Sequence, residues 1–261
     1  MDSIRQAIER AKIAAEHQGD AGSKILPKSA KSEADVALNL DLSYLRARRI
    51  VAHDGQDVRS RPFDILRTEV LQCMDPKGWK ILAVTSPTPG CGKTIVSVNL
   101  ALSMARQSER QVLLADFDFR KPQIAASLGL KCRGGLLGVV ESGSNVDSAV
   151  MRVRVGNNVL EVLPTQPAAN ASELIDSSAL VDLLRNVAEY ERILILDLPP
   201  LLTGHDVISI LPQIDCVLIV GAVGVSTTAH IEECDKYLQD TDVIRFVLNK
   251  VPESKKEYAY Y

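Results

Sequence analysis

One stretch constrains this chain more than any other: Ser86-Pro87-Thr88-Pro89-Gly90-Cys91-Gly92-Lys93-Thr94. It lies between an apolar run, Ile81-Leu82-Ala83-Val84, and a helical pattern from Ile95 to Arg106. A buried strand, a glycine-containing turn and an immediate helix start form the setting of a phosphate-binding loop. In such a loop the backbone N–H groups of Pro89 to Ile95, the proline excepted, aim at an anion, and the helix dipole favours its negative charge. Gly90, Cys91 and Gly92 would form the cradle, Lys93 would reach the β- and γ-phosphates, and the Thr94 hydroxyl would ligate Mg2+. The pattern G-x-x-x-x-G-K-[ST] asks for glycine where this chain carries Pro87, yet G-K-T, strand and helix stay in register. The competing reading is a glycine-rich strand–helix turn with an incidental lysine.

A chain of 261 residues, 46% hydrophobic and 24% charged, suits one sizeable α/β domain with an appendage. A formal net charge of −3 gives no electrostatic reason to expect nucleic acid as a partner. Five scattered cysteines without C-x-x-C spacing argue against a disulfide framework or a zinc site and suit a reducing cytosol. The charged start lacks the apolar core of a signal peptide, and no run approaches a membrane span. The expected location is the cytoplasm, with any attachment to the inner face of a membrane made through a partner.

Residues 1–18 carry Ile4, Ile8, Ala11 and Ala15 on one helical stripe, which reads equally as a docked surface helix or a contact with another protein. A linker-like stretch follows to Asp35, and apolar content returns from Leu38 to Val51, where Arg46, Arg48 and Arg49 read as a solvated face. Residues 60–74 predict a helix with Pro62 in its first turn and Phe63, Leu66, Val70 and Met74 on its core face. Apolar runs at 80–85, 111–115, 192–197, 216–221 and 243–248 read as strands, with a shorter one at 159–163. They do not alternate, as befits strands buried on both faces of a parallel sheet. Helical patterns fall at 95–107, 172–189 and 226–239, and weaker ones near 135–151 and 205–212. The expected fold is α/β, a doubly wound, mostly parallel sheet of the P-loop NTPase type with a helical N-terminal extension. The expected division is 1–59 extension, 60–250 nucleotide domain and 251–261 tail. Ligands of such sheets sit at the carboxyl ends of the strands, here 86–94, 116–120 and 197–203.

Two of those strand ends carry aspartates. In Asp116-Phe117-Asp118-Phe119-Arg120-Lys121-Pro122, Asp116 and Asp118 are two apart and can turn to one point. Such a pair can hold Mg2+ directly or through water, and one member can accept a proton from an attacking hydroxyl. Arg120 can meet phosphate or pair with the aspartates, while for a lone strand-end Asp the simpler role is to cap the next helix. Asp197-Leu198-Pro199-Pro200 repeats the pattern, an apolar strand ending in a carboxylate on or near Mg2+. Asn249, just past the last strand, can contact a base or simply form a turn. Cys91 fits better as a space-filling residue than as a nucleophile. Three of the six tyrosines, Tyr258, Tyr260 and Tyr261, stand in the last four positions of a polar tail that gives aromatics nowhere to be buried. A cluster of acceptor hydroxyls is the reading this placement favours.

These motifs together, with the S-x-x-P-G-x-G-K-T loop, D-x-D-x-R-x-P and D-x-P-P, make the chain resemble bacterial tyrosine kinases of exopolysaccharide and capsule assembly, within the MinD/ParA-like ATPases. The likeness covers 60–261, and the pieces at 42–74 resemble the subgroup encoded as a separate protein. The resemblance implies ATP and Mg2+ as cofactors, Lys93, Asp116 and Asp118 as catalytic residues, and Thr94, Asp116, Asp118 and Asp197 as metal residues. It further implies phosphorylation of the tail in trans within a ring or dimer. The implied partners are the cytoplasmic segment of a membrane polysaccharide chain-length determinant and a tyrosine phosphatase. The family's contact motif E-x-x-R-x-x-R stands here as Arg61-x-x-Asp64-x-x-Arg67, with two charges exchanged. A nucleotide switch of the MinD/ParA kind is the nearest rival, although Thr88 stands where that group carries a lysine. A small-molecule kinase and a regulatory subunit without turnover are the others.

Overall fold

Strands whose residues are apolar without alternation need cover on both faces, and that requirement dictates the architecture. The computed structural model describes residues 37–252, apart from 108–109, 133, 176 and 190–191. The segment 1–36 and the tail with Tyr258, Tyr260 and Tyr261 lie outside the described residues. The strands are β1 Ile81–Thr85, β2 Gln111–Asp116, β3 Met151–Val155, β4 Asn158–Leu163, β5 Arg192–Asp197, β6 Cys216–Ala222 and β7 Val243–Asn249. They form one seven-stranded sheet in the order β3-β4-β2-β5-β1-β6-β7. Every pairing is parallel except that of β3 with β4. Helices α1 Leu42–Ala47 and α2 Arg61–Met74 precede β1, and α3 Lys93–Gln107, α4 Ile124–Leu128, α5 Gly135–Ser142, α6 Ala171–Ile175, α7 Ser178–Glu189, α8 Asp206–Ile210 and α9 Thr228–Tyr237 lie between the strands.

Because neighbouring strand residues point to opposite faces, the sheet has two cores. Leu82, Val84, Val112, Leu114, Ile193 and Ile195 pack with Leu66, Val70, Val98 and Leu102 of α2 and α3. Ile81, Ala83, Leu113, Ala115, Leu194 and Leu196 pack with Leu174, Leu180, Leu184, Val207 and Ile210 of α6, α7 and α8. The core face expected of α2 is present, with Leu66, Val70 and Met74 buried and Phe63 packed at its margin. Arg46, Arg48 and Arg49 are exposed, while Leu45, Ile50 and Ala52 beside them enter the first core. The buried Asn99 of α3 fastens that segment. Its Oδ1 accepts from Val51 N at 2.9 Å and Ala52 N at 3.0 Å, and its Nδ2 donates to Arg49 O at 3.1 Å.

Two expectations need correction. The weak helical pattern near 135–151 resolves into α5, a short 3-10 turn at Val146–Ser148, and then β3. Val155 pairs with Asn158, leaving Gly156-Asn157 as a two-residue hairpin turn in which Gly156 has φ +61°. The single pattern expected over 172–189 is two helices, α6 and α7. Ser177 starts the second, its Oγ accepting from Leu180 N at 3.3 Å.

Candidate nucleotide site

Both glycines of the phosphate loop have left-handed backbone, φ +84° at Gly90 and +89° at Gly92. A Cβ on Gly92 would also come within 2.5 Å of Asn249 Nδ2. That amide donates to Cys91 O at 2.9 Å, so the end of β7 straps the loop from behind. Cys91 is buried, with Sγ 3.4 Å from Ser226 Oγ, in keeping with a space-filling role. On the other side the chain after β5 is zipped to the loop: Thr85 Oγ1 donates to Pro199 O at 2.7 Å and Leu201 N to Ser86 O at 2.8 Å. A cavity of about 550 Å³ opens above the loop, lined by Pro89, Gly90, Gly92, Lys93, Thr94 and Ile95, and across from them by Asp118, Arg120 and Pro199.

Lys93 is only 9% exposed, and its Nζ lies 3.0 Å from Asp118 Oδ2 and 3.5 Å from Asp197 Oδ2. Burial works against its charge, but Asp197 and Asp118 outweigh that and hold the ammonium above its ordinary value. The hydroxyls of Thr94 and Ser97 donate to Asp197, at 2.6 Å to Oδ2 and 3.0 Å to Oδ1. Burial pushes the Asp197 carboxyl up, and Lys93, Thr94 and Ser97 pull it the other way. Ser97 was not singled out from the sequence. Its signal is its place one helical turn after Lys93, on the same face of α3.

The two aspartates of D-x-D divide their work. Asp116 Oδ2 accepts from Gln123 N and Ile124 N at 2.9 Å each, and Oδ1 from Asp118 N at 3.2 Å, so its carboxylate holds the turn into α4. Asp118 is the member that faces Lys93 and the cavity. Burial, with the Asp197 carboxylate adding to it, raises Asp116 to about 7. Arg120 does not pair with Asp116 or Asp118. Its guanidinium is bound to Asp206, Nε to Oδ2 at 2.7 Å and Nη2 to Oδ1 at 3.2 Å, while remaining on the cavity wall. Asn249 spends its amide on the loop backbone, and its Oδ1 accepts from Lys250 N at 2.8 Å.

Asp118 and Asp197 contact the one buried lysine and Asp116 adds to the same field, an excess of buried carboxylates that suits an added cation. Among the described residues no three His, Cys, Asp or Glu side chains close into a cation cage. A Mg2+ that takes most of its ligands from phosphate and water fits this arrangement better than an all-protein site. The glycine cradle fits phosphate, because backbone replaces side chain where an anion would lie.

Residues 79–237 match the ParA family, described as NUBPL iron-transfer P-loop NTPase. The chain is a ParA-family P-loop NTPase. That fold implies nucleotide binding. This P-loop NTPase is 33% identical over 221 residues to the tyrosine-protein kinase EpsB of Ralstonia nicotianae, covering 83% of this chain and 28% of EpsB. It thus spans less than a third of that relative's length. It is 29% identical over 207 residues to the tyrosine-protein kinase CapB of Staphylococcus aureus, covering 77% of this chain and 89% of CapB. Among solved structures it resembles the BceF tyrosine kinase domain, with 26% identity and a TM-score of 0.68 over 83% of this chain and 92% of that domain. The doubly wound fold and the kinship with bacterial tyrosine kinases, both expected from the motifs, hold. No described helix of the P-loop NTPase is long and apolar enough to cross a membrane.

Proposed function

We propose that the chain is an ATP-dependent protein-tyrosine autokinase of an exopolysaccharide or capsule system, using MgATP to phosphorylate Tyr258, Tyr260 and Tyr261 in trans. The observation that carries this is the contact of Lys93 with Asp118 beside the glycine cradle, because Asp118 is the D-x-D carboxylate that reaches the cavity, its Oδ2 on Lys93 while Oδ1 accepts from Lys121 N at 3.0 Å. The names of EpsB, CapB and BceF support the choice of tyrosine as acceptor. MgATP supplies the transferable γ-phosphoryl group. The amides of 90–95 and Lys93 would hold and neutralise its phosphates, and Thr94, Asp118 and Asp197, with Asp116 behind them, would hold the Mg2+. Asp118 Oδ2 would accept the proton from the attacking tyrosine hydroxyl, since the carboxylate reaches the cavity and Lys93 can take up the role of its counter-ion. In a loose transition state most of the acceleration comes from this positioning and charge neutralisation.

The division into a segment before residue 60, a nucleotide domain and a tyrosine tail belongs to the same proposal. So do recruitment to the inner face of the membrane by the cytoplasmic segment of a chain-length determinant, assembly as a ring or dimer, and reversal by a phosphatase. The match to the ParA family favours one alternative, a nucleotide switch that hydrolyses ATP without phosphorylating protein. A mixing experiment separates the two. Lys93→Met protein with an intact tail is incubated with MgATP and a tail-deleted chain with an intact site, and the intact mass of the first is read. Phosphate-sized increments on its tail peptides are the expected result. Hydrolysis with no increment on either chain favours the switch.

A further inference from the structure

Behind Arg120 on the cavity wall, three side chains from separate elements form a closed polar cluster. Arg120 comes from the loop after β2, Ser172 from α6 and Asp206 from the first position of α8. Asp206 is 3% exposed, and Arg120 grips it with the two-pronged geometry a guanidinium offers a carboxylate. Ser172 Oγ donates to Asp206 Oδ1 at 2.8 Å and accepts from Arg120 Nη2 at 2.8 Å. An apolar trio of the same volume would pack there with less desolvation cost. The polar trio adds a fixed direction to the Arg120 side chain, and Arg120 lies two residues after Asp118.

The loop bearing Asp118 is held along its length. Phe117 N donates to Asp197 O at 3.0 Å, Ala168 N donates to Phe119 O at 2.9 Å, and Phe117 and Phe119 are buried. Arg120 is the exception, with 53% of its side chain exposed. Without Asp206 only the Ser172 hydroxyl in this cluster would keep its charge from swinging over the cavity toward Asp118. We infer that Asp206 and Ser172 are positioning residues for phosphoryl transfer, acting through Arg120 to fix the Asp118 loop against α6 and α8. This rests on the proposed function. Arg120 and Ser172 hold the Asp206 carboxyl below its ordinary value despite burial, so the clamp stays closed across the neutral range.

The test compares wild type with Asp206→Asn, Arg120→Lys and Ser172→Ala, measuring kcat for tail phosphorylation, the dissociation constant of MgADP and the melting temperature. Arg120→Lys keeps the charge but loses the fork, and Ser172→Ala removes one arm with least risk to folding. The expected result is a kcat lower by about 10- to 100-fold for Asp206→Asn and Arg120→Lys, and less for Ser172→Ala. For Asp206→Asn and Ser172→Ala, which do not line the cavity, MgADP affinity should move by less than about threefold. The double variant Arg120→Lys/Asp206→Asn should be no worse than the poorer single one. Unchanged kcat would overturn the inference. So would a parallel fall of kcat, MgADP affinity and melting temperature, the mark of a purely structural cluster. If wild type hydrolyses ATP but phosphorylates no tyrosine, the kinase reading fails, and the clamp is judged on the kcat of hydrolysis by the same criteria.

Discussion

Gly92 shows how much a single backbone position decides here. Its φ of +89° and the Asn249 amide 2.5 Å from an added Cβ leave no conformation that alanine can adopt without moving the strap. Gly92→Ala should lower stability by about 1–3 kcal/mol and abolish measurable MgADP binding, as read by calorimetry. A variant that binds nucleotide normally would show that the strap yields. The glycine, Lys93 and Thr94 were legible in the sequence because they form a short local pattern. The roles of Asp116 and Asp118 were legible only as a pair. Which one caps and which faces the lysine depends on where α4 starts, and residues 123 and 124 carry no mark of that. Asp116 also gives the site its pH dependence. With a folded value of about 7 against an ordinary 3.8, the folded chain holds a proton the unfolded chain releases. Its contribution to stability is therefore complete below the ordinary value and lost as pH rises through about 7. A bound cation offsets that loss, so MgADP should raise the melting temperature more at about pH 8 than at about pH 6. Equal shifts would contradict the assignment.

Among the elements, α2 and α3 are joined by a charge network that the motif Arg61-x-x-Asp64-x-x-Arg67 only hinted at. Asp64 accepts from Ser103 Oγ at 2.6 Å, from Arg67 at 3.0 Å and from Arg106, all within one chain. Two of the positions implied as subunit contacts thus have intrachain partners here. Asp64→Ala leaves two little-exposed arginines without this carboxylate and should cost about 1–3 kcal/mol in denaturant unfolding. A cost near zero would mean that solvent already satisfies them. The strands buried on both faces could be read from unbroken apolar runs. β3 could not, because Met151-Arg-Val-Arg-Val155 alternates and has charge on one side. The Gly156-Asn157 turn was the signal that makes it a hairpin with β4.

At the scale of the molecule, the two cores and the sheet order bring β1, β2 and β5 side by side with their carboxyl ends together, and that adjacency assembles the site. Strand polarity and order follow from the alternation of strands and helices, so the location of the chemistry was predictable before any distance was known. The contacts of 49–52 with α3 and of Asp206 with Arg120 were not, since they join residues 47 to 86 positions apart through side chains that also suit a solvated surface. Burial gives a global check on the packing. Cys91, Cys216 and Cys234 are buried, and Cys216 and Cys234 are pushed up to about 12 and about 11, chiefly by burial. Iodoacetamide at about pH 8 should modify only the partly exposed Cys73 and Cys132 in the folded protein and all five in urea. Rapid native labelling of Cys216 would contradict the packing of β6.

The most direct test of the whole account is a time course of phosphotyrosine on the purified chain with MgATP, comparing wild type with Asp118→Asn and Lys93→Met by intact mass. Phosphate increments are expected on wild type, at a rate lower by about 100-fold or more on Asp118→Asn, and not at all on Lys93→Met. Phosphotyrosine that accumulates on Lys93→Met as fast as on wild type would contradict the account.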